Sequence, residues 1–357
     1  MEANYIFERY ITGYDSREIS NTFEVREMKP LTKTLFAMND LSNLGIQRVI
    51  CEIVKNWNEE EYGTVYLSLH NTQGEFESYL NSNVKVYELD KLVPPLFIGH
   101  FHFVTRVIAY VRLLKQIEPD KVIAVNQGEA LALCLAKRFI KNFRLIVCEH
   151  CNVSESIGDY KGIFGMYYRK CFQREYNKYA DSIHTVSLES KQDLIDNWGF
   201  SPDKIQVIYN PVNIKKDDYT KEKDDNDGRF VITAASRLTQ QKRIDILLSG
   251  LSILRNKIGE RRFSKLHVKI YGDGELKENL MDLRDKLGLK DTVDFEGFIL
   301  DPWKEVAKAD LFVSTSEWEG LSVSLIEAQF VQTPILASNC PSGNKEILLF
   351  GGGGVFI

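Results

Sequence analysis

Residues Arg229–Lys257 read RFVITAASRLTQQKRIDILLSGLSILRNK. RFVITAA is a short apolar, partly β-branched run and predicts a strand, whereas RIDILLSGLSILRNK repeats its apolar residues at helical spacing. A polar turn, SRLTQQK, joins the two, giving one strand–turn–helix unit. Downstream the alternation continues: LHVKIYG, TVDFEG, DLFVST and PILAS read as strands, separated by helical ELKENLMDLRDKLG, WKEVAKA and LSVSLIEAQF. Upstream, from Lys33, strands KTLFAMN, TVYLSL, VKVYEL, KVIAV, RLIVCE, SIHTV and KIQVIY are interleaved with helical segments, including residues 163–179. Strands alternating with helices predict parallel sheets covered on both faces, an α/β doubly wound fold.

The register breaks once, in the polar, mixed-charge stretch NPVNIKKDDYTKEKDDNDGR. The reading is therefore a charged arm over residues 1–30, a first Rossmann-like domain over 31–212, a linker over 213–228 and a second Rossmann-like domain over 229–357. After LLFGGGG only Val355–Ile357 begin another strand, so the second domain reads as incomplete. In open parallel sheets ligands bind beyond the carboxyl ends of the strands, which places the expected site in an interdomain cleft.

With 357 residues, 44% hydrophobic, 27% charged and a net charge of -5, the chain suits a folded protein with no electrostatic footprint for nucleic acid. The N-terminal MEANYIFERY lacks the basic-then-apolar build of a secretion signal, and no apolar run is long enough for a membrane span. A cytoplasmic location is expected. Of six cysteines only Cys148 and Cys151 are close in sequence, in CEHC. They lack the second pair a structural zinc site needs, and an acid stands between them, so neither a metal nor a redox centre is expected.

The strand-to-helix turns carry the chemistry. Arg237 and Lys242, in the turn opening the second domain, form a cradle for a diphosphate beside a helix start; two solvated surface bases are the alternative. Glu319 precedes Gly320, and Glu327 lies along the following helix. Two such carboxylates can hold hydroxyls of one extended ligand whose anionic part meets the backbone N–H groups of Gly320, Leu321 and Ser322. Alternatively, Ser324 and Glu327 fit a capping box. Gly272 and Gly274 lack a third glycine at dinucleotide-fingerprint spacing and read as a tight turn.

In order, SRLTQQKRIDILL, IYGDGELK, VDFEGF and DLFVSTSEWEGLSVSLIEAQFVQTPILASNCPSGNKEIL resemble the retaining nucleotide-sugar glycosyltransferases of family 4, which have the two-domain GT-B architecture. PSGNKEIL looks most like members that build bacterial surface or lipid-linked oligosaccharides. The resemblance implies that Arg237 and Lys242 neutralise the donor diphosphate, Glu319 contacts the donor sugar and Glu327 takes the ribose hydroxyls. It places Gly272, Gly274 and Phe298 near the base. MNDLSNLGIQR matches the family's glycine-containing loop after the first strand, with a single glycine, Gly45, where the family has a pair. His150, in CEHC, sits where the family places a cleft-facing histidine that contacts the donor sugar or orients the acceptor; a core histidine is the alternative.

By that resemblance the expected catalytic set is Glu319, His150, Arg237 and Lys242, with a UDP-linked hexose or N-acetylhexosamine as donor, a glycan or lipid-linked glycan as acceptor, retention of configuration, and neither cofactor nor obligatory metal. A pyridoxal-phosphate phosphorylase would share the architecture, but no signature for that cofactor is present. A catalytically silent nucleotide-sugar binder or assembly partner is the rival reading. KRFIKNFR and KGIFGMYYRKCFQREYNKY mix basic and aromatic residues, as would a face resting on anionic membrane at the inner side of the cytoplasmic membrane; an ordinary amphipathic helix is the alternative.

Overall fold

The computed structural model describes residues 32–42, 45–74, 76, 77, 80, 83–93, 102–158, 162–222, 228–350, 355 and 356. The arm expected over 1–30, Asn43 and Leu44 of the first loop, and the glycines at 351–354 lie outside the described residues. The chain divides into two compact units, Met1–Pro211 and Val212–Ile357.

In the first unit the strands are β1 (Lys33–Ala37), β2 (Thr64–Leu69), β3 (Lys85–Glu88), β4 (Lys121–Ala124), β5 (Arg144–Glu149), β6 (Ser182–Thr185) and β7 (Ile205–Val207). Among the described residues they form one seven-stranded sheet ordered β3-β2-β1-β4-β5-β6-β7, with every pairing parallel. Leu35, Phe36, Val122, Ile123, Leu145, Ile146 and Val147 are fully buried. Such continuous apolar runs are what a sheet sandwiched between helices requires. Helix Gly162–Tyr179 packs inward through Phe172 and Tyr176, whose rings lie 4.0 Å apart and contact Phe200. Burying each such aromatic contributes roughly 2–3 kcal/mol.

The second unit contains β8 (Phe230–Ala235), β9 (Leu266–Tyr271), β10 (Val293–Gly297), β11 (Leu311–Ser314), β12 (Ile335–Ala337) and β13 (Val355–Phe356). Its described strands form a six-stranded, all-parallel sheet ordered β10-β9-β8-β11-β12-β13. Helix Ile244–Ile258 buries Ile244, Leu247, Leu248 and Leu251, the spacing expected of one helical stripe. Both sheets thus have the doubly wound order, in which the chain reverses its direction of travel between the first and fourth strands. The short helices Glu59–Tyr62, Val153–Gly158, Glu260–Phe263 and Asn344–Phe350 were not predicted.

Candidate functional site

In the second unit the reversal lies between β8 and β11, which pair directly through Ile232 and Leu311. The loops leaving these two strands therefore start side by side. One carries Arg237 and Lys242, the other Glu319. Hydrogen bonds fasten them together: Glu317 N donates to the Gln241 carbonyl at 2.8 Å, Gln241 Nε2 to the Trp318 carbonyl at 2.8 Å, and Thr315 Oγ1 to the Lys242 and Arg243 carbonyls at 3.0 and 2.9 Å. Arg243 takes a left-handed conformation (φ +47°) between the 3-10 turn Gln240–Lys242 and the helix, and its guanidinium bonds Asp245 and Glu317.

Within this frame Lys242 Nζ lies 2.5 Å from Glu319 Oε1, and Ser316 Oγ donates to the same oxygen at 2.6 Å. The two charged side chains are only 15% and 8% exposed. A pair so withdrawn from water is weakly screened, so each group strongly fixes the other's position. Arg237, half-buried, reaches Gln241 Oε1 at 3.4 Å.

The loop after β12 closes on the other side of Glu319. Glu319 N donates to the Pro341 carbonyl at 3.2 Å, and Ser338 Oγ to the Ser316 carbonyl at 2.5 Å. Gly343 (φ +34°) presses against Gly320 and Leu321; a Cβ there would lie 2.4 Å from the Gly320 carbonyl oxygen. Helix Val323–Phe330 begins directly after Ser322. Ser324 is therefore inside the first turn rather than at the cap, and the alternative capping box with Glu327 does not form there. Glu319, Gly320, Leu321, Ser322 and Glu327 are all buried.

Gly272 and Gly274 sit where the β9 loop abuts the β8 loop. A Cβ on Gly272 (φ +138°) would lie 1.8 Å from the Ser236 carbonyl oxygen, and one on Gly274 2.5 Å from that of Leu238. The tight-turn requirement is thus satisfied, and it sets the backbone flanking Arg237. Phe298, just beyond β10, is 39% exposed.

The first unit has its own reversal between β1 and β4, and there Asn39 N donates to Asn126 Oδ1 at 3.3 Å. Gly45 opens helix Gly45–Lys55. The preceding turn is shaped by a carboxylate: Asp40 Oδ1 accepts from Ser42 N, Ser42 Oγ and Gln47 Nε2 at 3.0, 2.6 and 3.3 Å. His150 follows β5, half-buried, with its Nδ1 buried. Burial drives its pKa down to about 3, opposed by a hydrogen bond with Asn210, so the imidazole is neutral at physiological pH. Burial also raises Glu149 to about 7, against hydrogen bonds from Gln127 and Tyr176, and Cys151 to about 12. Cys148 is buried. The Cys151 thiol is held protonated, unlike a redox thiol. Among the described residues no cluster of three or more His, Cys, Asp or Glu side chains has metal-holding geometry.

One charged constellation was not predicted. Glu129, fully buried in the first turn of the helix after β4, accepts from Tyr110 Oη and lies 3.0 Å from Arg106 Nη1 and 3.3 Å from His70 Nε2. His70 Nδ1 in turn lies 2.9 Å from Asp90. Burial pulls the His70 pKa down, but the two carboxylates outweigh it and the net shift is upward. The partners are spread from residue 70 to 129, so no local motif marks them. Gln241 was also missed, although it adjoins Lys242.

Residues 44–216 match the family model described as Glycosyltransferase Family 4, and residues 215–357 the model described as Glycosyl transferases group 1. The chain is 26% identical to the N-acetylgalactosamine-N,N'-diacetylbacillosaminyl-diphospho-undecaprenol 4-alpha-N-acetylgalactosaminyltransferase of Campylobacter jejuni, over 68% of this chain and 64% of that protein. It is also 26% identical to the lipopolysaccharide 1,6-galactosyltransferase of Salmonella typhimurium, over 68% of this chain and 62% of that one. The matched part thus spans less than two thirds of either relative. Among solved structures, HepE (Alr3699) of Anabaena in complex with UDP superposes with a TM-score of 0.70 at 21% identity, covering 91% of this chain and 85% of that one.

Proposed function

We infer the reaction from the family, for the chain belongs to the family 4 glycosyltransferases. We propose that it moves a hexose or N-acetylhexosamine from a nucleotide-sugar, UDP-linked, to a glycan or lipid-linked glycan acceptor in bacterial surface polysaccharide synthesis, with retention of configuration. The observation that carries this reading is that the loop bearing Arg237 and Lys242 is fastened to the loop bearing Glu319 at the strand reversal of the second unit. The Campylobacter relative's undecaprenol-linked acceptor and the UDP bound to HepE support the chemical classes of acceptor and donor.

Breaking a sugar–phosphate bond moves negative charge onto the diphosphate while the sugar becomes oxocarbenium-like. Cations fixed where that charge develops act on the transition state more than on the ground state. In this reading Arg237 and Lys242 take the diphosphate. One such preorganised contact is worth about 3 kcal/mol, roughly a hundredfold in rate. Glu319 is assigned the donor sugar and Glu327 the ribose hydroxyls. Backbone N–H groups at Gly320, Leu321 and Ser322 and the single-glycine loop at Gly45 are assigned the donor phosphates, and Gly272, Gly274 and Phe298 the surroundings of the base. Neutral His150 is assigned a hydrogen bond to the sugar or the acceptor. Attack comes from the leaving-group face, the departing phosphate assisting deprotonation of the acceptor hydroxyl, and two fixed side-chain cations supply the positive charge without a metal.

We also propose peripheral contact with anionic membrane. Met166 and Tyr167 on helix Gly162–Tyr179, and Phe139 in KRFIKNFR, are exposed in segments rich in basic residues, while Phe172 and Tyr176 of the same helix fill the core. No helix among the described residues is long and apolar enough to cross a membrane. Flotation with anionic liposomes tests the contact; absence from the lipid fraction refutes it. The reaction is tested by incubating the protein with a panel of UDP-, GDP- and ADP-sugars and measuring nucleoside diphosphate release with and without a lipid-linked glycan. Acceptor-stimulated release from a UDP-sugar is expected. Binding of the nucleotide without any turnover would identify a silent binder instead.

A further inference from the structure

Three of the four polar groups of Gln241 are spent on the site. Its Oε1 accepts from Arg237 Nη2 at 3.4 Å, its Nε2 donates to the Trp318 carbonyl at 2.8 Å, and its own carbonyl accepts from Glu317 N at 2.8 Å. One residue thereby joins the guanidinium of the β8 loop to Glu317 and Trp318, the two residues immediately ahead of Glu319. The orientation of the amide follows from its partners. Exchanging Oε1 and Nε2 would set an amide donor against Arg237 and an amide acceptor against the Trp318 carbonyl, mismatching both contacts.

The neutrality of this side chain matters as much as its geometry. Lys242, next in sequence, is held by the carboxylate of Glu319, which offsets its charge. An amide holds Arg237 without offsetting anything. A guanidinium placed in this way keeps its full charge for an incoming anion, whereas a carboxylate at position 241 would neutralise it in advance and turn an acceptor toward the Trp318 carbonyl.

We propose that Gln241 is a positioning residue that presents Arg237, charged and oriented, to the donor diphosphate and locks the Glu319 loop beside it. The proposal rests on the reading of Arg237 as a diphosphate ligand. Its test is calorimetric titration of UDP into the intact protein and into Gln241→Glu, Arg237→Ala and the double variant, with thermal unfolding followed alongside. Gln241→Glu is expected to weaken UDP binding about tenfold, a change of about 1.4 kcal/mol. In the Arg237→Ala background the loss from the same substitution should shrink, the remainder reporting the Trp318 contact, a non-additivity that a purely structural role would not produce. Gln241→Met, similar in size but without the amide, serves as a second variant and should raise KM for the donor while the protein still unfolds cooperatively, its midpoint lowered modestly by the lost Trp318 bond.

Several outcomes would overturn the proposal. If UDP binds the unmodified protein and Gln241→Glu equally well, or if the losses from positions 237 and 241 simply add, Gln241 does not act through Arg237. If no nucleoside diphosphate binds the unmodified protein, the donor-site reading fails and this inference falls with it.

Discussion

Lys242 Nζ and Glu319 Oε1 lie 2.5 Å apart, bridging loops that are 77 residues distant in sequence, and both side chains are largely withdrawn from solvent. The contact ties a cation assigned to the leaving group to a carboxylate assigned to the sugar. On the proposed reading, a donor binding here would exchange part of that pairing for its own phosphate and hydroxyl groups.

Removing one member of such a pair strands the other. Lys242→Ala is expected to lower turnover at least about a hundredfold and also to lower stability by about 3 kcal/mol, since Glu319 remains nearly buried without its counter-charge. Replacing both residues with Met should restore much of the stability and none of the activity. Urea unfolding and turnover, measured on the same preparations, check both halves; a fully stable Lys242→Ala would show that Glu319 finds another partner.

Arg237 gives the contrasting case. Its hydrogen-bond partner Gln241 is neutral and the residue is half-buried, so Arg237→Ala should cost about 1 kcal/mol of stability or less while reducing turnover about a hundredfold. Steady-state kinetics beside unfolding curves separate the two effects.

Gly272→Ala should cost more than about 2 kcal/mol, because the new Cβ would meet the Ser236 carbonyl oxygen at 1.8 Å in a backbone conformation with φ +138°. Because the displaced strand end leads into Arg237, UDP affinity should fall as well. An unchanged unfolding midpoint would show that the two loops are not packed in this way.

Acid should destabilise the first unit through half-buried His150 and buried His184. His150 and His184 each have a folded-state pKa near 3, lowered from 6.5 chiefly by burial. Between those values the unfolded chain binds the extra protons, so their contribution is complete above pH 6.5 and is lost as pH falls toward 3. Glu149 acts oppositely. Burial raises it from 4.5 to about 7, so the folded state holds the extra proton and stability falls as pH rises through that window. The difference between Glu149→Gln and the unmodified protein should therefore grow in favour of the variant from pH 4.5 to 7. Unfolding midpoints across pH 3–8 measure it, and a flat difference curve would refute the assigned shift.

Much of the fold was legible in the sequence because its causes are local. Apolar runs such as LIVC and the stripe Ile244, Leu247, Leu248, Leu251 announce strand and helix by period alone, and their alternation implies parallel sheets. Their place in strand-to-helix turns made Arg237, Lys242 and Glu319 candidates, but spacing alone did not separate them from solvated surface charges; the resemblance to family 4 did. What no local pattern encodes is which loops become neighbours. The β8–β11 pairing brings Lys242 to Glu319 and gives Gln241 its three contacts, the packing of the β9 loop on Ser236 makes Gly272 obligatory, and Glu129 gathers partners from residues 70, 106 and 110. Hydrophobic period is written within single segments, whereas charge pairing and backbone contact depend on distances across the sheet, which exist only once the strands have chosen their order.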